Sequence, residues 1–223
     1  MKIVFLLLLV SYYFILDAKD KKDDFLMGSV VKSDEWVIDK KKDREIFKKN
    51  VSFKNSFYIM KTDYAVYDRK NKIWNADGNV YARRNFENNS YMESYSEKAE
   101  YNENLKKLIL FSEKNKIKTV FYDGLKKETF ISYSKESTAL IDEKKIIMEK
   151  EFELLTASMT AYSQKAIYDD NKKEFELIKD PKVFGQNDEY TTFINANLIY
   201  VNRENKTVKA INNVYGKIER KKL

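Results

Sequence analysis

A short unit of alternating apolar residues that closes on Asp or Asn limits the fold of this chain more than any other feature. Its clearest copy, residues 61–84, has alternating runs at 64–67, 73–76 and 80–82 around a polar turn and a glycine at position 78. Period-two alternation bounded by Asp, Asn, Lys and Gly is typical of short antiparallel strands rather than helices. The stretch therefore predicts a strand–turn–strand repeat.

The same unit occurs six times along the chain. In each copy an Asx residue closes the outgoing strand, and its side chain can bond to backbone two residues on, as a tight polar turn requires. Because the copies are unevenly spaced, we expect variable insertions, at residues 84–89 and 121–129, rather than the fixed blades of a propeller. The closing residues are Asp39, Asp68, Asn102, Asp142, Asp169 and Asn202.

A third element follows several of these turns and begins beside Gly, Asn or Pro, at residues 50–53, 78–82, 181–185 and 213–216. Such residues at a strand start indicate a bulge or a corner where the chain turns onto the next strand. Residues 154–168 also alternate, so we interpret them as strand. A chain of hairpins that bury one face on their neighbours has two edges, which we expect near residues 29–37 and 207–218.

The chain lacks both His and Cys. This removes the usual general base near neutral pH, two common metal ligands, the Cys nucleophile and any disulfide framework. Five scattered glycines cannot form a phosphate-cradling loop, and the Asp residues at turn starts have a structural role. We therefore expect no enzyme activity, no catalytic residue, no cofactor and no metal site.

The 223 residues carry a formal net charge of +7, with Lys spread among nearly as many acidic residues. This is typical of a solvated β surface, and it also suits attraction to an anionic surface or ligand. A polyanion binder would need a clustered basic face, whereas the Lys residues here lie in turns throughout the chain. The absence of a Pro-, Gly- or Ser-rich linker predicts one β domain at residues 29–219.

Residues 1–20 have the layout of an export signal, with Lys2 before an apolar run at 3–16 and polar residues after it. As a helix this run would reach about 21 Å, whereas the hydrocarbon core of a bilayer is roughly 30 Å thick. A cleaved signal peptide is therefore favoured over a short membrane anchor, and the anchor remains the alternative.

Apolar side chains occupy one face of many predicted strands. They either fill a closed sandwich or barrel, or line an apolar trough in a sheet that curls without closing. A trough with Lys and Arg along its rim would suit acyl chains and phosphates.

The phrases at residues 31–39, 50–51, 62–68 and 78–80, summarised as S/A-D-x-x-x-Φ-D … G-N-V, resemble the OstA-like family of lipopolysaccharide-transport bridge proteins of the LptA and LptC type. The sequence departs from the family at Lys49, which stands where the family has Gly, and the later copies lose most of the Gly-Asn-Val. The resemblance implies an all-β fold, a partly open, twisted β-jellyroll of about 15 antiparallel strands built from hairpin repeats, with acyl chains held in its groove.

Matching positions carry groove-lining roles over to five residues, and the one-faced apolar pattern adds four. The resulting lipid-binding candidates are Val31, Ile38, Val51, Phe53, Tyr67, Val80, Tyr101, Ile141 and Tyr168.

The resemblance implies a non-enzymatic periplasmic carrier of the LptA type that binds lipopolysaccharide and bridges the inner and outer membranes. Its implied partners are other lipopolysaccharide-transport proteins, through edge-strand pairing, or further copies of itself in a head-to-tail oligomer. No nucleic-acid partner is implied. The alternatives are an LptC-like component anchored in the inner membrane and, from another class, a structural β-repeat surface protein with a closed core.

Overall fold

The computed structural model describes residues 28–221, so the predicted signal or anchor at 1–20 lies outside the described residues. The described residues form 18 β-strands and no helix. The prediction of an all-β, partly open jellyroll is confirmed, with more strands than the 15 or so expected. Nothing in this part of the chain forms a helix of the length and apolarity that a membrane span needs.

The strands differ in length because some belong to one sheet and others cross between two. In chain order they are β1 (Val30–Lys32), β2 (Glu35–Asp39), β3 (Arg44–Lys54), β4 (Tyr58–Asp68), β5 (Ile73–Asn85), β6 (Tyr91–Asn102), β7 (Lys107–Phe111), β8 (Ile117–Asp123), β9 (Glu128–Ser134), β10 (Glu136–Leu140), β11 (Lys145–Leu155), β12 (Met159–Asp169), β13 (Glu174–Ile178), β14 (Lys182–Gln186), β15 (Tyr190–Asn195), β16 (Leu198–Asn202), β17 (Thr207–Ile211) and β18 (Tyr215–Arg220).

All pairings are antiparallel, and they divide the ribbon into two facing layers. The first sheet contains β2, β7, β10, β13, β16 and β17, and the second sheet contains β1, β8, β9, β14, β15 and β18. The long strands β3, β4, β5, β6, β11 and β12 give one half to each sheet. Aromatic contacts join the layers, such as Phe53 of the second sheet against Trp74 of the first, with ring centroids 4.7 Å apart.

In three of the crossing strands and in two connections between strands, the chain turns from one sheet to the other at pairs of consecutive residues with positive φ, which we call corner doublets. In β3, β5 and β11 each doublet adds one residue that the neighbouring strand lacks, so the pairing register shifts and the strand bends. This confirms the predicted corners at residues 50, 78, 181 and 213 and adds one that sequence reasoning missed, in β11. The doublets are Lys49 with Asn50, Gly78 with Asn79, Lys150 with Glu151, Lys179 with Asp180, and Asn212 with Asn213.

Side-chain hydrogen bonds hold the corners and explain the sequence phrase described above. The Asn79 amide donates to Asp63 Oδ2 over 2.7 Å, and the Asn50 amide donates to Asp34 Oδ2 over 2.9 Å. In both corners an Asp that precedes the doublet in the chain thus fixes the Asn of that doublet. Lys49 adopts the positive φ for which the family uses Gly, at the energetic cost that a side chain brings in this conformation.

The Asx turns form as predicted, with three corrections to the predicted turns and insertions. Asp39, Asp68, Asn102, Asp169 and Asn202 each end a strand and accept a bond from the backbone N–H three residues on. The expected insertion at residues 121–129 is instead a further hairpin of this kind, closed by Asp123. In the fourth copy β10 ends at Leu140, so Asp142 lies inside the turn rather than closing the strand. The expected insertion at 84–89 is in part strand, since β5 continues to Asn85.

The space between the sheets is packed in two separate clusters. The first belongs to the N-terminal half of the ribbon and includes Phe47, Phe53 and Trp74, whereas the second belongs to the C-terminal half and includes Phe152 and Phe175. Ala139, on β10, is partly buried and packs against both. The interior is therefore divided at the middle of the chain.

Both ends of the ribbon are open edges, where the sequence predicted them. Within residues 28–221, β1 and β2 pair only with β3, while β17 pairs only with β16 and β18 only with β15. Apolar residues at these ends remain uncovered, with Trp36 60% exposed and Ile218 72% exposed.

We expect Gly78→Ala to lower the free energy of unfolding by about 1–3 kcal/mol. Gly78 has a φ of +82°, and an added Cβ would lie 2.6 Å from Asp63 Oδ2, so the change disturbs the corner. Gly216→Ala is the matched control, because its nearest neighbour would be 3.9 Å away. Urea denaturation measures both, and equal midpoints would contradict this account of the corner.

Candidate functional site

A cavity of about 820 Å³ lies between the two clusters, where the interior is divided. Its walls come from both, with Leu108 and Leu110 from the first and Phe121 and Ile146 from the second. Ala139, which touches both clusters, also lines it. This volume is within the range of natural ligand pockets, which is about 300–1,000 Å³.

Part of the cavity wall consists of small side chains, Ala82 and Ser94, that face inward at the middle of the second sheet. Ala82, Ser94, Thr119 and Ser132 are cross-strand partners in one row over β5, β6, β8 and β9, and all four are buried. Ser94 and Thr119 hydrogen-bond to each other over 3.0 Å, which satisfies both hydroxyls. Aromatic residues fill the corresponding space in the two clusters, so the change to small residues leaves the volume open.

Two hairpin turns of the second sheet form one side of the mouth. The β8–β9 turn packs so closely on the β5–β6 turn that a Cβ at Gly124 would lie 2.0 Å from the backbone oxygen of Asn88. The Gly124 N–H also donates to Ser90 Oγ over 3.0 Å. Only glycine fits this contact, which fixes the position of the rim.

Arg203, in the β16–β17 turn, lies at the mouth between the two sheets. Its guanidinium stands over the rings of Phe130, Phe121 and Tyr168, at 5.2, 5.6 and 5.6 Å from their centroids. Its Nη1 donates to the Tyr168 hydroxyl over 2.8 Å. The Tyr168 hydroxyl in turn donates to Asp170 Oδ1 over 3.1 Å.

Lys173 and Arg84 continue this series of contacts around the mouth. Lys173 forms an ion pair with Asp170 at 2.7 Å and stands 5.9 Å from the centroid of the Phe86 ring. Arg84 stands over the same ring at 4.8 Å. We call this set the mouth ring; its members are Arg84, Phe86, Tyr168, Asp170, Lys173 and Arg203.

Two further contacts tie the sheets together beside the mouth. Lys126 Nζ donates to the backbone oxygen of Glu204 over 2.6 Å, and Lys206 pairs with Glu128 at 2.5 Å. Both join the β8–β9 turn to the β16–β17 turn. Because exposed ion pairs contribute only about 0–1 kcal/mol each, this connection is weak.

Burial raises the pKa of Tyr168, the neighbouring Asp170 carboxylate raises it further, and the Arg203 guanidinium opposes the shift. The phenol therefore remains protonated and bridges the two charged groups. Among the described residues no group of three or more His, Cys, Asp or Glu is placed to hold a metal ion.

The nine predicted lipid-binding residues fall into three environments. The first cluster contains four of them as buried residues, namely Val51, Phe53, Val80 and Tyr101. Two more, Val31 and Tyr67, are partly buried and pack against this cluster. Ile141 and Tyr168 are buried and also line the cavity, whereas Ile38 is 49% exposed at the first edge. The structure thus brings two of the nine to the cavity, and contact of any of them with lipid stays a prediction.

Sequence reasoning missed the residues that give the cavity its character. Met92, Ala139, Arg84 and Arg203 line it, although none of them was among the predicted lipid-binding residues. One signal was available for Arg84, because it occupies an inward position of a strand where apolar residues normally alternate. Arg203 lies in a turn, and no local pattern distinguishes it from other exposed basic residues.

No protein-family model and no curated protein matches this sequence. Among solved structures, the chain is similar to LptH from Pseudomonas aeruginosa, described as the LptA homologous periplasmic component of the conserved lipopolysaccharide transport device. The identity is 9% and the TM-score 0.30, with 68% of this chain and 82% of that chain covered. A likeness at this TM-score carries no functional conclusion.

We expect the free energy of unfolding to fall as the pH rises above about 10, the ordinary pKa of tyrosine. Above that pH the unfolded chain loses the Tyr168 proton while the folded chain keeps it, because burial raises the folded pKa. Each tyrosine whose pKa is raised in the folded state contributes up to about 1.4 kcal/mol per pH unit to the slope of the free energy of unfolding against pH. Denaturant unfolding between pH 8 and about 11 measures the slope.

Tyr168→Phe should reduce the slope of the free energy of unfolding against pH. Tyr200 lies on the outer face of the first sheet, so Tyr200→Phe should change this slope much less. Identical slopes in wild type and Tyr168→Phe would contradict a protonated, buried phenol at the mouth.

Proposed function

We propose that this chain is a non-enzymatic, LptA-like component of lipopolysaccharide transport, located in the periplasm, that binds acyl chains in its apolar interior. The observation that carries the proposal is the cavity between the two clusters. It combines unfilled apolar volume with cations at its mouth, which are the two environments that an anionic lipid requires. The described strands form hairpins around this interior, so the fold itself encloses space for a ligand.

The apolar lining suits acyl chains energetically. Met92, Leu108, Leu110 and Ile146 offer aliphatic contact surface, and each CH₂ group transferred from water contributes about 0.8 kcal/mol. A chain of ten or so carbons that contributes in this way offsets the cost of association. The buried hydroxyl of Ser94 is already bonded to Thr119, so it adds no unpaired polar group to this wall.

The open edges support assembly with other copies or with related transport proteins. Strand edges expose unpaired N–H and C=O groups that can pair with another sheet. At the first edge Trp36 continues the inward-facing row of Phe47, and at the last edge Val208 continues that of Val201. Joining edge to edge would cover these residues and extend the apolar interior from one molecule to the next.

Residues 1–20 decide between two forms of this proposal. A cleaved signal would release an LptA-like bridge component that reaches between the inner and outer membranes, whereas an uncleaved segment would tether an LptC-like component to the inner membrane. A structural surface protein with a closed core is the alternative from another class. The cavity favours the transport proposal over that alternative, because a purely structural core has no need of unfilled volume.

A photo-crosslinking residue at Met92 should give adducts with lipopolysaccharide, because Met92 lines the cavity. The photo-crosslinking residue at position 147 should give no adducts, because Ile147 alternates with the buried Ile146 and Met148 and so faces outward. Mass spectrometry of the irradiated protein reads out both. Adducts at Ile147 alone would contradict binding in the interior.

Val30→Asp and Val214→Asp should weaken end-to-end association at least tenfold, because each places a charge at an edge where the wild-type residue is 62% or 55% exposed. Leu125→Asp, in the β8–β9 turn, is the control and should associate normally. Sedimentation equilibrium measures association, and circular dichroism verifies that the monomers are folded. Unchanged association in both edge variants argues against strand pairing there.

A further inference from the structure

We propose that the mouth ring is a binding site for a phosphate-type headgroup, placed so that the acyl chain of the same molecule enters the cavity. The ligand is an amphiphile, or a part of one, that carries one acyl chain and one phosphate group. Arg203 and Arg84 make the main contacts with the phosphate. This rests on the proposed function, which requires an acyl chain in the cavity but assigns no residue to the headgroup.

The environment of Arg203 is the first reason. Three aromatic rings fix its guanidinium plane, and one of its donors reaches the Tyr168 hydroxyl. Its Nε is buried and has no hydrogen-bond partner among the described residues. Buried donors normally have partners, so an unpaired donor on a fixed cation indicates that an external acceptor belongs there.

The charge balance of the mouth ring is the second reason. The ring holds three cations, Arg84, Lys173 and Arg203, and one carboxylate, Asp170. The same Asp170 oxygen already accepts bonds from Lys173 and the Tyr168 hydroxyl. No ion pair joins Arg203 to a carboxylate within residues 28–221. The charge of Arg203 is therefore not compensated by an ion pair, and an oxyanion would neutralise it.

The chemistry of the two arginines points to phosphate oxygens. A guanidinium presents donors in a planar fork that matches two oxygens of a phosphate, and stacking on an aromatic ring fixes the plane of that fork. Arg84 is stacked on Phe86 at 4.8 Å and Arg203 on Phe130 at 5.2 Å. Both are thus pre-organised, which reduces the entropy lost on binding.

The position of the ring relative to the cavity links the headgroup to the tail. Arg84, Met92, Phe121 and Phe130 are successive cross-strand partners on the inner face of the second sheet. Arg84 begins this row, Arg203 stands over Phe121 and Phe130, and Met92 lies between them in the cavity wall. A phosphate between the arginines would therefore have apolar wall directly beneath it.

Calorimetric titration of the full chain with decyl phosphate, decanol and inorganic phosphate tests the proposal. We expect decyl phosphate to bind at least about tenfold more tightly than decanol, because charge-assisted hydrogen bonds add to the apolar contact. Inorganic phosphate should bind much more weakly than decyl phosphate. Raising the salt concentration should weaken the binding of decyl phosphate and leave that of decanol unchanged.

Arg203→Gln should lose about tenfold in affinity for decyl phosphate and keep the wild-type affinity for decanol. Arg203→Lys, which keeps the charge but not the planar fork, should lose less. Arg220→Gln removes the same charge from β18, far along the chain from the mouth, and should bind all three probes like the wild type. If Arg203→Gln fails to fold, Lys173→Gln and Arg84→Gln test the ring at its other side with the same expectation.

Two results would overturn the proposal. Equal affinities for decyl phosphate and decanol would show that the headgroup is not recognised, and equal affinities for decyl phosphate and inorganic phosphate would show a free-phosphate site instead.

Failure of the proposed headgroup site is distinguishable from failure of the proposed function. Lipopolysaccharide adducts at Met92 that persist in Arg203→Gln would leave acyl binding intact, while tight decyl phosphate binding without such adducts would leave the anion site intact.

Discussion

The left-handed conformation of the corner doublets is the constraint on which the rest of this structure depends. The doublets in β3, β5 and β11 add a residue to the strand and bend it, and two further doublets lie in connections between strands, so that a ribbon of hairpins folds into two layers rather than a flat sheet. Conformations of this kind cost about 1–3 kcal/mol per residue, and the Asp63–Asn79 and Asp34–Asn50 bonds help to offset that cost. Inward-facing apolar rows meet only because these corners exist.

Side-chain size at the inward positions then determines where the interior is packed and where it is open. Aromatic residues fill both halves, whereas the small side chains of Ala82 and Ser94 line the unfilled middle. The turns around this gap carry Arg203 and Lys173, so apolar volume and positive charge occur together at one place. The proposed transport of an anionic lipid and the proposed headgroup site both follow from this coincidence.

Much of the fold could be predicted from the sequence because its causes are local. Alternation identified the strands, Asx residues the turns, and Gly78 with Asn79 a corner. The doublet of Lys150 and Glu151 was missed because neither residue type favours positive φ, and only the pairing of β11 with β12 requires it there. The cavity could not be predicted, since it depends on which inward positions meet across two sheets. Tyr168 lies in an alternating strand and was therefore among the predicted lipid-binding residues, whereas Arg203 lies in a turn and was not.

Selective ¹³C-methyl labelling of methionine tests most directly whether an amphiphile occupies the gap between the clusters. Met92 lines the cavity, whereas Met60 is buried in the first cluster and Met148 in the second. On titration with an acyl-bearing ligand, the account predicts that the Met92 methyl resonance shifts strongly and those of Met60 and Met148 remain nearly unchanged. Binding that leaves the Met92 resonance in place, or that shifts all three equally, would contradict it.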